Sequence, residues 1–231
     1  MASLKNILNF SDIQPKVKDH LTQVYGTLSL GCMTATVGCM YTPLYIVNNF
    51  IFLIIGIIAT IGLIIKMHSL RGNRDHGTKF ACFLGVTFID GAFLKPLVSL
   101  AQSIDPVILV NALVYTAAIF VSFSLVSLIS KRRSFLFLGG ILSSVMIGVS
   151  FGLLASWLFG FSFISHFQYN LLMVIVFSFY VIYDTQLIIE KASLGDYDYT
   201  LHALELFVDL VRIFIHILRI LIENSDKKRK D

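Results

Sequence analysis

Charge is scarce in this 231-residue chain. Asp, Glu, Lys and Arg together supply 14% of the residues, whereas hydrophobic residues supply 56%. Mean hydropathy is +0.81. A soluble domain carries about 25% charged residues, so the composition excludes one and indicates an integral membrane protein built as a single hydrophobic bundle. Cysteine is equally scarce: Cys32, Cys39 and Cys82 are the only three. All lie in apolar stretches, which favours buried thiols over a disulfide framework or a metal site. No CxxC, HExxH or P-loop pattern occurs, and neither enzymatic activity nor a bound cofactor is expected. The net charge of +4 is no nucleic-acid signal, because the basic residues sit in short loops and a tail beside apolar runs, where membrane lipid is the natural partner. Residues 1–27 lack the apolar core of a cleavable signal peptide, since Lys5, Asp12, Lys16, Lys18 and Asp19 interrupt it. The first membrane segment is therefore expected to direct insertion.

What is present is a series of apolar stretches. Seven reach, or nearly reach, the length of about 20 residues needed to cross about 30 Å of hydrocarbon. They lie at 28–47, 50–67, 80–101, 107–129, 135–159, 169–189 and 203–222. The expected organisation is an N-terminal segment (1–27), a transmembrane domain (28–222) and a basic tail (223–231). The first stretch is rich in small and polar residues (Gly31, Thr34, Thr36, Gly38) and should face protein rather than lipid. The fifth carries Gly139, Gly140, Gly148 and Gly152, which permit close helix approach. No internal repeat of the kind found in many transporters is evident.

Loop charges set the orientation. Lys and Arg cluster in the N-terminal region (Lys5, Lys16, Lys18), between stretches two and three (Lys66, Arg71, Arg74, Lys79) and between four and five (Lys131, Arg132, Arg133). The intervening loops have none. The positive-inside rule then places the N-terminus in the cytosol. Seven crossings put the tail, DKKRKD, on the opposite side, in tension with its charge. A six-crossing arrangement with a re-entrant seventh stretch would return it. Seven helices are expected, because a helix satisfies its own backbone and a re-entrant loop must be sheltered by protein.

The seventh stretch is the most polar. Glu205, Asp209, Arg212, His216 and Arg219 are spaced 4, 3, 4 and 3 residues apart, so they fall within about 80° of one another on a helix. Such a stripe in a membrane should face protein or a water-filled cavity. An internal salt-bridge ladder is the alternative. Asp184 lies six residues before Glu190, and Asp209 six residues after Ala203. Both sit about 9 Å inside the same face and can plausibly meet. Two close carboxylates in a poorly solvated site do not both ionise easily and tend to share a proton. Deprotonated, they attract a cation, and their oxygens suit Ca²⁺. The alternative is that each pairs separately, for example Asp209 with Arg212. Asp90 and Lys95, in the third stretch, lie about 140° apart around the helix and do not form an i,i+4 pair. Lys95 precedes Pro96, which suggests a kink.

Four stretches, IQPKVKDHLTQVY (13–25), KRRSFLFLGGIL (131–142), YDTQLIIEKASLGDYDY (183–199) and LFVDLVRIF (206–214), resemble the transmembrane Bax inhibitor motif family. The resemblance runs from about residue 10 to the tail. It implies a seven-helix fold with the last helix enclosed by the other six. It also implies residence in the endoplasmic reticulum, suppression of cell death, contacts with cell-death regulatory membrane proteins, and a pH-sensitive calcium leak. In the family a hydrogen-bonded, proton-sensing aspartate pair governs opening, and the motifs place it on Asp184 and Asp209. Some bacterial relatives set an arginine from the second helix against that pair. Residues 50–65 contain none, and Arg212 is the candidate substitute.

A channel or leak that passes Ca²⁺ and responds to protons is thus the leading reading. Intramembrane aspartyl proteases place YD in one helix and GxGD in the next. Tyr183-Asp184 supplies the first half, but LFVD lacks both glycines that let a substrate strand approach. A non-conducting regulator acting through helix-mediated partner binding and a proton-coupled exchanger are the remaining readings.

Overall fold

The computed structural model describes residues 14–70, 76–130, 134–160 and 164–228. The sequon Asn9-Phe10-Ser11 and the loop cations Lys5, Arg71, Arg74, Lys131, Arg132 and Arg133 lie outside the described residues. Among those residues the chain is wholly helical, with eight helices. These are α1 (Pro15–Tyr41), α2 (Leu44–Val47), α3 (Phe50–Ser69), α4 (His76–Ile104), α5 (Pro106–Ile129), α6 (Leu138–Phe159), α7 (His166–Ser193) and α8 (Tyr199–Lys228). Five of them, α3 to α7, are long and apolar enough to cross a membrane. Helices α1 and α8 have the length but not the apolarity, because α1 carries threonines and N-terminal charges and α8 carries the charged stripe.

The first expected stretch differs most. Its helix starts at Pro15, well before residue 28, and ends at Tyr41. Pro15 suits a helix start because its missing N–H has no intrahelical role there. Pro43 then interrupts the run, and the short α2 follows it. The N-terminal half of α1 buries Val17, Leu21, Val24 and Leu28, a three-to-four-residue spacing that marks one helix face.

Local sequence sets the other ends. Asn49 caps α3, its side chain accepting from the Ile51 N–H at 2.9 Å. Gly160 closes α6 in the left-handed region at φ 69°. Ser165 and Gln168 form a reciprocal capping box at the start of α7.

The chain divides into two compact units. One comprises Pro15–Pro106 with Asp196–Val208. In it α1 and α3 both pack against α4. Of the residues expected to face protein, Gly31 and Gly38 are buried, Thr34 is half-buried and Thr36 is exposed. At the α1–α4 crossing a Cβ on Gly91 would lie 1.9 Å from the Ala35 carbonyl oxygen, and one on Gly38 2.2 Å from that of Phe88. Only glycine permits backbones this close. Helix α4 continues unbroken through Pro96. Lys95 reaches across to the Met40 carbonyl at the end of α1, at 3.4 Å.

The other unit comprises Val107–Gly195 and the chain from Asp209. Helix α6 packs on α7. Of the four glycines expected to bring the fifth stretch close to a neighbour, only Gly139 does so, against the Tyr183 ring. Gly140, Gly148 and Gly152 face open space. Helices α5 and α7 are tied by the Ser127 hydroxyl, which donates to the Ile182 carbonyl at 2.8 Å, and by the edge-to-face rings of Phe123 and Phe179. Gln186 of α7 accepts from the Phe135 N–H at 2.8 Å. The three cysteines are free: Cys82 is buried, and Cys32 and Cys39 are half-buried.

Candidate functional site

Helices α7 and α8 supply the candidate site. Asp184 is nine residues before Ser193, where α7 ends, and Asp209 is ten residues after Tyr199, where α8 begins. The two carboxylates thus sit about 14–15 Å along their helices from the shared turn, at closely matched depth. Asp209 is buried, at 3% exposure, and Asp184 is half-buried. Tyr180, one turn before Asp184 on α7, is half-buried, and its ring lies edge-on to that of Tyr183 with centroids 6.5 Å apart.

The stripe on α8 splits along its length. Asp209 and His216 are buried and Glu205 is half-buried, whereas Arg212 and Arg219 are exposed. Helix geometry explains the division. His216 lies only about 20° around the axis from Asp209, while Arg212 and Arg219 lie about 60° and 80° away, at the stripe's outer edge. Ile213 and Ile217 are buried against protein.

Arg212, the alternative partner for Asp209, also has an aromatic contact. The Arg212 guanidinium carbon stands 4.9 Å above the Phe177 ring, an attraction between a cation and the ring quadrupole. The His216 imidazole is stacked on the same ring, with centroids 5.9 Å apart and planes 13° apart. His216 Nδ1 lies 2.8 Å from Asn170 Oδ1. Because the Asn170 amide nitrogen donates to the His166 carbonyl at 2.8 Å, its oxygen is the acceptor and His216 Nδ1 carries the proton. Tyr169 closes the other side of the imidazole edge-on.

Sequence reasoning missed Asn170 and Phe177. Asn170 carried a signal, as a lone amide at the start of an apolar run. Phe177 carried none, because aromatic residues are common in membrane helices and only tertiary register assigns it the His216 and Arg212 contacts. Gly148-Val149-Ser150-Phe151-Gly152 has the spacing of a nucleophile elbow, but it lies in mid-helix in α6 rather than on a strand-to-helix turn. The Ser150 hydroxyl donates to the Met146 carbonyl of its own helix at 2.8 Å.

Among the described residues no group of three or more His, Cys, Asp or Glu side chains is arranged to hold a metal ion.

The family model described as Bax1-I, inhibitor of apoptosis-promoting Bax1, matches residues 17–226. Bax inhibitor 1 of Arabidopsis thaliana is 38% identical over 229 residues, covering 98% of this chain and 90% of that protein. Bax inhibitor 1 of Rattus norvegicus is 37% identical over 230 residues, covering 97% and 94%. The Homo sapiens protein of the same name is 35% identical over 230 residues, again covering 97% and 94%.

Proposed function

The chain belongs to the Bax1-I family, the inhibitors of apoptosis-promoting Bax1, and on that premise we propose that it suppresses cell death as a pH-sensitive calcium leak of an intracellular membrane, the endoplasmic reticulum. The path is controlled by Asp184 and Asp209. The single observation that carries this reading is the matched depth of Asp184 and Asp209 on α7 and α8, two helices joined by the contacts of His216 with Phe177 and Asn170.

The proposed mechanism is electrostatic. In acid the two carboxylates share protons and attract cations least. As cytosolic pH rises the shared proton leaves, and two like charges remain in a poorly solvated site. At ~4 Å separation and an effective dielectric of 20 their repulsion is about 4 kcal/mol. That biases a two-state equilibrium about a thousandfold. It either parts α7 from α8 or draws in a cation such as Ca²⁺.

The proposed topology has seven crossings, with a cytosolic N-terminus and α8 enclosed by the other helices. Burial of Leu206, Phe207, Ile213 and Leu218, all at 1% exposure or less, together with that of Asp209 and His216, supports enclosure, since these side chains span about 200° around α8. Helix α1 supplies the first crossing through its apolar portion from residue 28. Its Gly31, Ala35 and Gly38 are buried against protein, as a helix of modest apolarity requires.

Purified protein in liposomes loaded with a calcium indicator tests the reading. A leak above that of protein-free vesicles is the expected result. Intact, folded protein that passes no calcium at any pH between 5 and 8 would instead identify a regulator that works through helix-mediated contacts with other cell-death membrane proteins.

A further inference from the structure

A second set of titratable side chains stands apart from the aspartates, outside the apolar spans. It gathers His20 on α1 before residue 28, His76 and Lys79 at the start of α4, and Asp196, Tyr197, Asp198 and His202 around the start of α8. His20 and His202 are 3% and 1% exposed. Their ring nitrogens, His20 Nε2 and His202 Nδ1, lie 2.9 Å apart. We infer that this imidazole pair is a proton-operated latch, holding the N-terminal part of α1 against the start of α8 at neutral pH and releasing it in acid.

The geometry sets the protonation state. Two imidazole nitrogens at hydrogen-bond distance accommodate one proton between them. His20 Nδ1 is buried with no hydrogen-bond partner. An unpaired acceptor there costs less than an unpaired donor, so the proton sits on His20 Nε2, which donates to His202 Nδ1. The proton of His202 is then on Nε2, facing the Asp196 carboxylate at 3.9 Å. Both rings are neutral in this arrangement. A first added proton, on His20 Nδ1, leaves the bond intact. A second has only His202 Nδ1 to occupy. Two N–H groups then face each other, and the bond is lost.

Further aromatic and charged groups surround the pair. Tyr197 packs edge-on against His20 with centroids 5.5 Å apart, and His76 stacks on Tyr199 at 5.6 Å. Lys79 donates to Asp198 in a buried ion pair, and Asp198 also accepts from the Thr200 hydroxyl at 2.7 Å. Its charge is therefore largely matched already. Asp196 is exposed and remains the carboxylate available to an imidazolium. On α1 itself Lys16, Lys18 and Asp19 are exposed. Burial pushes the His20 imidazole below its ordinary value, against the opposing pull of Asp196 and Asp198.

The sign follows. A His lowered in the folded state binds fewer protons there than when released. The packed arrangement is fully stable above about pH 6.5 and loses stability as pH falls below it.

Hydrogen exchange of the full chain in lipid nanodiscs, corrected for the intrinsic pH dependence of exchange, tests the latch without requiring ion flux. In the wild type, peptides spanning 15–27 and 196–204 should lose protection below about pH 6.5, by roughly tenfold per pH unit for each net proton taken up. Peptides of α6 should not. His202→Gln should start with less protection at pH 7.5 and show no pH dependence. Asp196→Asn, which leaves both rings in place, should keep the onset near pH 6.5 and deepen the fall, because it lowers the packed imidazole further and leaves the released one unchanged. Flat protection in the wild type, an equal fall in α6, a wild-type profile in His202→Gln, or a shallower fall in Asp196→Asn would each overturn the latch. If His202→Gln does not fold, the wild-type and Asp196→Asn profiles decide.

Discussion

The Asn170 side-chain oxygen and His216 Nδ1 are 2.8 Å apart, joining α7 to α8 below the aspartates. Both residues are buried, so neither group has water to replace a lost partner. Asn170→Leu should leave a buried N–H unsatisfied and lower stability by about 1–3 kcal/mol. In the His216→Phe background the same change should cost much less. Thermal unfolding in detergent of the four proteins measures the coupling, and strictly additive effects would mean that the bond contributes nothing.

The α1–α4 crossing makes a contrasting prediction for glycine. A Cβ on Gly91 would lie 1.9 Å from the Ala35 carbonyl oxygen, whereas one on Gly148 meets nothing within 4 Å. Gly91→Ala should destabilise the fold by at least ~1–3 kcal/mol through forced separation of two backbones. Gly148→Ala, in mid-helix, should be neutral or stabilising by up to about 1 kcal/mol. Unfolding midpoints of the two variants, compared side by side, check the sign of each.

Lys79 and Asp198 should behave differently from the nearby histidines. Burial by itself raises the Asp198 carboxyl. The hydrogen bonds from Lys79, the Thr200 hydroxyl and the Leu201 N–H outweigh it and hold Asp198 below its ordinary value. A lowered carboxylate contributes stability that is present above its unfolded value of about 3.9 and is lost only as pH falls through the lower folded value. Lys79→Met should therefore cost about 3 kcal/mol, by stranding a largely buried charge, and the cost should be constant from pH 5 to 8. A loss that grows between pH 7 and 6 would assign the acid sensitivity of this end of the bundle to the wrong groups.

Single-cysteine variants in a cysteine-free background test the split stripe. Cysteines at 212 and 219, where the arginines are exposed, should react fastest with small water-soluble thiol reagents. Those at 213 and 217 should be inert, because Ile213 and Ile217 are buried against protein. Positions 209 and 216 should fall between, reacting only as the site opens to water. Equal rates at 212 and 213 would mean that α8 has no polar face.

Much of this architecture is legible in the sequence, because a membrane imposes length and apolarity on each span. The stretches at 50–67, 107–129 and 169–189 fall inside α3, α5 and α7 with only a few residues to spare. Helix α1 was harder to delimit. Lys16, Lys18 and Asp19 interrupt its apolar pattern in linear order, although Val17, Leu21, Val24 and Leu28 share one face in three dimensions. The stripe on α8 was legible as a helical period, and so was the matched depth of Asp184 and Asp209. What periodicity cannot give is the neighbour. That Arg212 stands over the ring of Phe177 depends on the rotation of α8 against α7. The partnership of His20 with His202 spans 182 positions and is fixed only by how α1 meets the start of α8.

The central claim is that Asp184 and Asp209 act as one proton-sensing unit. Asn is isosteric with Asp and still hydrogen-bonds, so Asp184→Asn, Asp209→Asn and the double variant should fold. Calcium efflux from proteoliposomes across cytosolic-side pH 5 to 8 measures their effect directly. The account predicts that the wild-type leak changes steeply with pH, that either single variant loses most of that dependence, and that the double variant resembles the singles. Full pH sensitivity in either single variant, or additive effects in the double, would contradict it.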